Sequence, residues 1–319
     1  MIRLDGAEAQ QKLIFYFVFN MMNLYEKTYE LVKQIPRGKV STYGAVARAL
    51  GDVIASRAVG RMLNVNPYKE VPCYRVIRSD GSLGGYAGGI EKKIELLRKD
   101  GIEIINGKID LDKYFFGEFI TDYPLKKLRE EQEMLRNKVI LEDDFELETV
   151  AGMDVAYGKK YAYGAYVEFD LDGNILRKKV VKKKIEFPYI PTYLAYRELP
   201  VLMELVKNEE PSIVMIDGNG ILHPRFFGIA CHFGVVANIA TIGIAKKLLY
   251  GEERNGYIYI GNKKVGKKLK KIYVSPGHKI GIDKAYEIAR KFMKYSLPEP
   301  IRQAHILANK AKRENEMES

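Results

Sequence analysis

The sequence TVAGMDVAY (residues 149–157) begins the part of the chain that decides the fold. Two further β-prone stretches follow it, AYGAYVEFD (162–170) and residues 175–187, and Gly173 and Asn174 stand between these two. Glycine and asparagine accept the backbone conformations that tight hairpin turns need. The pattern therefore predicts three sequential strands, with a hairpin that joins the second strand to the third.

Helical and strand patterns alternate on both sides of these three strands. A helix is expected over 192–207, and the apolar run SIVMID (212–217) predicts a buried strand. Another helix is expected over 226–238 and another strand over 240–244, while the charged amphipathic stretch 124–137 predicts the helix that opens this region. This order resembles the ribonuclease H-like fold, which is a mixed α/β sheet.

Short helices dominate the pattern in the N-terminal part of the chain. Apolar residues recur at helical spacing over 23–34, and Ser41 or Thr42 can cap a second helix that runs to Leu50. A third helix is expected over 54–64. Two short helices joined by a tight turn that contains glycine are typical of a helix-turn-helix.

The length of the chain and its changes of pattern predict two domains. At about 100–200 residues per domain, a chain of 319 residues can bury two cores. The short mixed pattern of 106–123 predicts a linker between them. We therefore expect an N-terminal domain over 1–105 and a C-terminal domain over 124–319.

The composition indicates a soluble globular protein with an excess of positive charge. Hydrophobic residues make up 47% and charged residues 29%, and the formal net charge is +11. A positive excess favours a polyanionic partner such as nucleic acid, because neutralised phosphates release counterions. The lysine-rich runs 178–184 and 263–271 either follow phosphates or form solvated faces, and charge alone leaves open a basic enzyme with well-spread lysines.

Cysteine usage and hydropathy favour a reducing cytoplasm. Only Cys73 and Cys231 are present, far apart and outside any CxxC pair, so a structural zinc site is disfavoured, while one disulfide stays open. The apolar run 13–22 is too short to span a bilayer and lacks the basic flank of a signal peptide. We interpret it as a buried strand, a buried helix or an extended start, and no membrane partner is expected.

The first candidate for chemistry is Cys73 in VPCYRV (71–76). Arg75 places a cation near the thiol, and a nearby cation favours the nucleophilic thiolate. Cysteine is also among the residues most often buried in a core, so Cys73 alone favours a packing role.

The motifs around Cys73 resemble the DNA-binding and catalytic part of the O6-alkylguanine-DNA alkyltransferase family, a winged-helix-like, helix-turn-helix domain. The resemblance spans about residues 22–103 and is carried by STYGAVA (41–47), SRAVGRMLNVNP (56–67), PCYRV (72–76) and YAGG (86–89). It implies transfer of an alkyl group from a flipped guanine to Cys73. It also implies roles for Arg57 as the finger that fills the vacancy, Tyr43 at the 3′ phosphate, Asn66 and Glu95 in the hydrogen-bond network of the cysteine, and Tyr86 in the substrate loop.

One position departs from that family. Tyr74 stands where the family has the histidine that helps to deprotonate the thiol. A tyrosine with a pKa of about 10 is a poor base at neutral pH. Two alternatives follow: Tyr74 passes the proton less efficiently, or the domain binds lesions without repairing them. The retained Cys73 favours weak-to-normal alkyl transfer.

The second candidate for chemistry is a set of three acids. Asp154 lies in a predicted strand, Glu198 on a predicted helix, and Asp217 at the carboxyl end of a buried strand. Carboxylates at strand ends are hard oxygen ligands that suit Mg²⁺, which can activate water beside a phosphate. Each acid taken alone could equally be a solvated charge or a helix cap.

A set of motifs in order resembles the endonuclease V family over about residues 124–312. They are AGMDVAY (151–157), PYIPTYLAYRELP (188–200), IDGNGILHPRFFGIACHFG (216–234), TIGIAKK (241–247), VSPGH (274–278) and RQAHI (302–306). The resemblance implies hydrolysis of the second phosphodiester bond on the 3′ side of deoxyinosine. It implies that Asp154 and Asp217 bind Mg²⁺, that Glu198 and His305 orient water or the leaving oxygen around it, that Lys246 lies near the cut phosphate, that Tyr189 is the wedge inserted where the base leaves, and that His223 lies in a DNA-facing loop with Arg225.

The sequence therefore predicts a bifunctional DNA repair enzyme. Its expected partner is double-stranded DNA that contains deoxyinosine or O6-alkylguanine, with Mg²⁺ as cofactor and no required protein partner. His232 and His278 are interpreted as packing or capping residues. Two alternatives stay open: the N-terminal domain binds lesions without chemistry, or the nuclease acts on RNA that contains inosine.

Overall fold

The computed structural model describes residues 23–317, and the apolar run 13–22 lies outside them. The chain divides into two compact units, which are described separately. The N-terminal unit runs to Glu130 and includes the segment Glu186–Pro191, and the C-terminal unit contains Glu131–Ile185 and the residues from Thr192 onward. The segment Glu186–Pro191 carries the predicted wedge residue Tyr189.

Short helices around a two-stranded parallel sheet form the N-terminal unit. Its elements are α1 (Leu24–Lys33), β1 (Ser41–Thr42), α2 (Tyr43–Leu50), a 3₁₀ turn (Val53–Ala55), α3 (Ser56–Asn64), a second 3₁₀ turn (Cys73–Arg75), β2 (Val76–Ile77), α4 (Ile90–Lys99) and α5 (Leu111–Tyr114). The side chain of Thr42 caps α2 by accepting a hydrogen bond from the amide of Ala45 at 3.0 Å. Gly51 ends α2 with a φ of +109°, a conformation that favours glycine. The helix-turn-helix prediction is confirmed by α2 and α3.

The core of the N-terminal unit extends beyond residue 105. Val40, Ile77 and Leu97 pack with Ile109 and Tyr114, and all five side chains are buried. The stretch 106–123, which we expected to be a linker, thus contributes side chains to this core. The domain bounds 1–105 and 124–319 stay a prediction.

One mixed sheet organises the C-terminal unit. Among residues 23–317, nine strands form it in the order β5-β4-β3-β6-β7-β11-β10-β9-β8. The strands β3, β6 and β7 are parallel, and every other neighbouring pair is antiparallel. Their bounds are β3 (Thr149–Tyr157), β4 (Tyr161–Asp170), β5 (Ile175–Lys184), β6 (Ile213–Asp217), β7 (Ala240–Ala245), β8 (Glu252–Arg254), β9 (Tyr257–Ile260), β10 (Lys263–Leu269) and β11 (Ile272–His278).

Helices cover both faces of this sheet. The helix α6 (Pro124–Arg136) contains residues of both units. The helices that cover the sheet are α7 (Leu194–Val206), α8 (Ile229–Ala237), α9 (Ile282–Lys291) and α10 (Glu299–Met317). Successive residues of β3 point to opposite faces, so Val150 packs with α9 and α10 while Ala151 packs with α7 and α8. This burial on two faces explains why β3 and β6 are apolar without strict alternation.

The predicted elements from α6 to β7 agree with the structure to within a few residues at each end. The sequence patterns missed the four-stranded antiparallel extension β8–β11. The run 263–271 lies largely in β10, where Lys267 pairs with Asp283 at 2.9 Å and Lys268 with Glu253 at 2.7 Å. None of the described helices has the length and apolar character that crossing a bilayer requires.

Candidate active sites

The first site surrounds Cys73 in the N-terminal unit. A cavity of about 650 Å³ is lined by Cys73 together with Tyr43, Arg57 and Tyr86. Tyr43 begins α2 and Arg57 is the second residue of α3, so the helix-turn-helix brings both to the thiol. The hydroxyl of Tyr43 donates a hydrogen bond to the carbonyl oxygen of Gly85, in the loop that carries Tyr86, at 3.2 Å.

Cys73 is buried and hydrogen-bonded. Cys73 is only 8% exposed, and the side-chain amide of Asn66 donates a hydrogen bond to its Sγ at 3.4 Å. Burial raises the pKa of the Cys73 thiol, while the hydrogen bond from Asn66 and the charge of Lys93 act in the opposite direction. Five of the six residues predicted for this site thus line the cavity or contact the cysteine: Tyr43, Arg57, Asn66, Cys73 and Tyr86.

Lys93 belongs to this site and was missed in the sequence. It is fully buried in α4, and its ammonium donates hydrogen bonds to the carbonyl oxygens of Val76 at 2.7 Å, Leu83 at 2.5 Å and Gly85 at 3.2 Å. Burial lowers the pKa of Lys93 to about 8, and the negative charge of Cys73 raises it. The available signal was its spacing, because Lys93 lies four residues before the buried Leu97 on the same side of the helix.

The carboxylate predicted to support the cysteine lies away from it, and another carboxylate binds the residues that follow Cys73. Glu95 is exposed and pairs with Lys92 at 2.8 Å, so the expected role of Glu95 is wrong. Asp100, at the end of α4, accepts hydrogen bonds from the Tyr74 hydroxyl at 3.1 Å and from Nε of Arg75 at 2.7 Å. Glu95 was chosen by its motif position, whereas the turns of α4 point Glu95 to solvent.

The second site lies in the C-terminal unit, at the carboxyl ends of β3 and β6. These parallel neighbours pair Met153 with Ile216, so Asp154 and Asp217 follow at adjacent positions of one sheet edge. The ligand atoms of Asp154, Asp217 and His305 all lie within 4.8 Å of one another. The sheet register therefore brings together residues that are far apart in the chain.

Close packing of α10 against β3 delivers the histidine. A Cβ atom on Gly152 would lie 2.2 Å from the backbone of Pro300, so only glycine permits this approach. His305 follows five residues later in α10, and its Nδ1 lies 2.6 Å from Oδ2 of Asp154.

Two more predicted residues reach the same acids. Nζ of Lys246, just after β7, donates a hydrogen bond to Oδ2 of Asp217 at 2.5 Å. Burial and the charge of Asp154 raise the pKa of Asp217, and Lys246 lowers it. Glu198 on α7 is 8% exposed, and burial, together with the charges of Asp154 and Asp217, raises its pKa to about 8.

Tyr157 supports Glu198 and was missed in the sequence. Its hydroxyl donates a hydrogen bond to Oε1 of Glu198 at 3.0 Å, and the guanidinium of Arg197 lies 4.1 Å from the centre of its ring. Tyr157 alternates with Ala151 and Met153 on the face of β3 that packs against α7, and this period of two is the signal that could have identified it.

These side chains suit a divalent cation. Two carboxylates and an imidazole converge. Burial and then the like charge of Asp154 raise the pKa of Asp217, and a bound cation would offset that repulsion. Asp154 and Asp217 offer the hard oxygen ligands, and His305 offers nitrogen. The site can therefore hold a metal ion.

The remaining predicted residues lie in four different places in the chain. Tyr189 is 48% exposed in the segment before α7. His223 is buried in the loop after β6, where burial lowers its pKa to about 4, and its Nδ1 accepts a hydrogen bond from the amide of Arg225 at 3.2 Å. His278 accepts one from the amide of Ile140 at 3.2 Å, and burial lowers the pKa of His232 to about 3.

Comparison with known families covers both units. The model of the family Endonuclease V matches residues 133–306. The model of the family 6-O-methylguanine DNA methyltransferase, DNA binding domain, matches residues 23–102. Together these matches include both sites.

Individual relatives have the same combination. A protein of Picrophilus torridus named bifunctional methyltransferase/endonuclease is 46% identical over 286 residues, or 89% of this chain and 95% of that protein. A Nanoarchaeum equitans protein named bifunctional methyltransferase-like/endonuclease is 35% identical and covers 86% of this chain and 87% of its own length. The crystal structure of Ciona intestinalis endonuclease V in complex with a 24mer DNA containing an inosine followed by a ribo-adenosine is 29% identical, with a TM-score of 0.56, over 60% of this chain and 99% of that one.

Proposed function

We propose that this chain, which belongs to the endonuclease V family, repairs two classes of damaged base in double-stranded DNA. It is related over most of its length to bifunctional methyltransferase/endonucleases. The C-terminal unit hydrolyses the second phosphodiester bond on the 3′ side of deoxyinosine with Mg²⁺. The N-terminal unit transfers an alkyl group from O6-alkylguanine to Cys73.

In the nuclease, Asp154 and Asp217 would hold Mg²⁺, which when bound activates water and offsets charge on the phosphate. Lys246 adds a positive charge beside Asp217 and would face the cut phosphate. Glu198 would orient water or the leaving oxygen, with its carboxyl group held by Tyr157. His305, bonded to Asp154, would act from the exposed side of the site.

The observation that carries this proposal is the convergence of Asp154, Asp217 and His305 to within 4.8 Å. The test is Mg²⁺-dependent nicking of duplex DNA with one deoxyinosine, with the product mapped on a sequencing gel. Asp154→Ala and Asp217→Ala should each slow nicking by at least about a hundredfold. The matched control Asp172→Ala, in the exposed β4–β5 turn, should cut normally. Undiminished nicking by both site variants would remove the metal assignment.

In the alkyltransferase, the Cys73 sulfur attacks the alkyl carbon of the flipped base. The sulfur–carbon bond forms as the O6–carbon bond breaks, and guanine leaves with the electron pair and takes a proton. Arg57 would fill the vacancy in the duplex, and Tyr43 and Tyr86 would guide the nucleotide and base. Each protein molecule can react once, because the thioether is stable.

A lesion-binding module without chemistry is the second candidate for this unit. Burial raises the pKa of Cys73, and Tyr74 directs its hydroxyl to Asp100. Incubation with DNA labelled on the O6-methyl group separates the candidates, because one equivalent of label on Cys73 requires transfer. Binding of that DNA with an unmodified Cys73 by mass spectrometry would favour the module.

RNA that contains inosine is the second candidate substrate for the nuclease. The Ciona intestinalis relative was crystallised with an inosine followed by a ribo-adenosine. Nicking of matched strands that differ only in the sugar after inosine tests the choice. We expect the all-deoxy duplex to be cut at least as fast.

A further inference from the structure

Thr192 has a backbone conformation that its side chain disfavours. It follows Pro191, where the chain leaves the segment Glu186–Pro191, and its φ is +67°. Positive φ is rare for β-branched residues, because Cβ then crowds the backbone. The Thr192 hydroxyl is also buried and makes no hydrogen bond among the residues described. Contacts from the surrounding structure must therefore hold this conformation.

Three side chains supply those contacts. Nε2 of Gln132 donates a hydrogen bond to the carbonyl oxygen of Thr192 at 3.1 Å, and Nη1 of Arg225 donates one at 3.3 Å. Arg225 also donates to Oε1 of Gln132 at 2.5 Å, and its guanidinium lies 4.5 Å from the ring centre of Tyr193. We call Gln132, Thr192, Tyr193 and Arg225 the Thr192 clamp. Gln132 and Tyr193 are at most 1% exposed, so the clamp is desolvated.

One residue of the clamp, Arg225, lies in the loop after β6, the strand that ends at Asp217. The amide of Arg225 donates to Nδ1 of His223, which is neutral and able to accept because burial lowers its pKa to about 4. Arg225 thus joins two elements: the loop that follows an acid of the nuclease site, and the residue that follows the Tyr189 segment.

We propose that Arg225 is a positioning residue for lesion recognition, which fixes, through the Thr192 carbonyl, the backbone that directly follows the Tyr189 segment. This inference rests on the proposed nuclease function. Tyr189 lies between Pro188 and Pro191, so its backbone is stiff and its direction depends on the anchors of the segment. A wedge that is already oriented avoids an ordering cost when it enters the duplex.

The inference predicts a defect that depends on base pairing. A wedge is needed to open a paired deoxyinosine, whereas a deoxyinosine within a bubble of unpaired bases is already open. Loss of the clamp should therefore slow nicking of the paired substrate more than nicking of the bubble. A simple loss of folded protein or of metal would slow both equally.

The experiment compares full-length wild type, Arg225→Met, Arg225→Lys and Gln132→Ala under single-turnover conditions. We expect Arg225→Met to slow nicking of the paired deoxyinosine substrate about tenfold and nicking of the bubble substrate less than about twofold. Gln132→Ala should show the same preference more weakly, and Arg225→Lys should recover part of the paired rate. The control Arg254→Met, an exposed arginine paired with Glu252, should match wild type on both substrates.

A second measurement does not depend on cleavage. A 2-aminopurine beside deoxyinosine brightens when the pair is opened, and saturating wild-type protein without Mg²⁺ should produce this signal. Arg225→Met should reduce it, and Thr192→Gly in that background should restore part of it, because glycine adopts positive φ without strain. Equal slowing of both substrates together with a full opening signal would overturn the inference. Failure of the wild type to nick either substrate would overturn the proposed function instead.

Discussion

The two sites of this chain arrange charge in opposite ways. In the N-terminal unit, burial raises the pKa of Cys73 and the charge of Lys93 lowers it, and the proposed alkyl transfer requires the thiol to lose its proton. In the C-terminal unit, burial raises the pKa of Asp217 and Glu198, and nearby carboxylates raise it further: Asp154 acts on both, and Asp217 acts on Glu198. The proposed alkyl transfer requires loss of a proton from Cys73, whereas the proposed nuclease reaction requires binding of a cation by Asp154 and Asp217.

This difference in charge indicates which substitutions should affect each activity most. A nucleophile that depends on one buried cation should respond strongly to the loss of that cation. A cluster of acids that share their charge should respond most to loss of an acid and less to loss of a hydrogen bond. No residue is assigned to both sites, so each activity should be separable by substitution.

The largest expected effect is complete separation of the activities at Cys73. Cys73→Ser should abolish alkyl transfer and leave deoxyinosine nicking within about twofold of wild type, because independent sites contribute additively. Label transfer and nicking are measured on the same preparation. Cys231→Ala is the matched control and should retain transfer, since Cys231 is buried in a separate cluster. Residual transfer in Cys73→Ser would place the acceptor elsewhere.

The second effect is loss of the buried cation. Lys93→Gln keeps hydrogen-bond donors but removes the charge, so we expect alkyl transfer at pH 7 to fall by about ten- to a hundredfold. The wild-type rate should rise with pH as Cys73 deprotonates, and the rise should level off as Lys93 loses its proton near pH 8.

That levelling should be absent in Lys93→Gln. The control Lys92→Gln changes the exposed neighbour that pairs with Glu95 and should behave as wild type. Affinity for methylated duplex DNA reports whether each variant is folded. A folded Lys93→Gln protein with the wild-type rate and profile would contradict the role of the cation.

The third effect is a gain at Tyr74. Burial raises the pKa of Tyr74, so its phenol is a poor base near neutral pH. An imidazole titrates near pH 6.5 and could donate to Asp100, so Tyr74→His should accelerate alkyl transfer by about tenfold. Single-turnover transfer measures the change, and Tyr74→Phe should alter the rate by less than about threefold. If Tyr74→His leaves the rate unchanged, deprotonation of Cys73 does not limit it.

The smallest effect is loss of the hydroxyl that holds Glu198. Tyr157→Phe removes one hydrogen bond and keeps the ring beneath Arg197, so nicking should slow by only about three- to tenfold. Single-turnover nicking at saturating Mg²⁺ measures it, with Tyr250→Phe, an exposed tyrosine, as control. A loss as large as that of Asp217→Ala would make Tyr157 part of the catalytic machinery.

Local patterns predicted most of the elements. Strand β3 agrees with its prediction at both ends, and helices α2 and α7 were placed because apolar spacing and capping residues are local. Strands β8–β11 were missed, because lysines such as Lys267 and Lys268 break their apolar pattern and pair with acids from other elements. Ion pairs between residues distant in the chain produce no recognisable pattern in the local sequence.

The sequence by itself determined the two-part organisation, the candidate acceptor Cys73 and the candidate metal ligands Asp154 and Asp217, because motif order and strand ends are properties of the chain. Only the tertiary structure decided that Lys93 is a buried cation whose charge acts on Cys73, that Tyr74 donates a hydrogen bond to Asp100, and that Arg225 donates one to the Thr192 carbonyl. Those outcomes depend on burial and on contacts between distant segments, and both arise only when the elements pack.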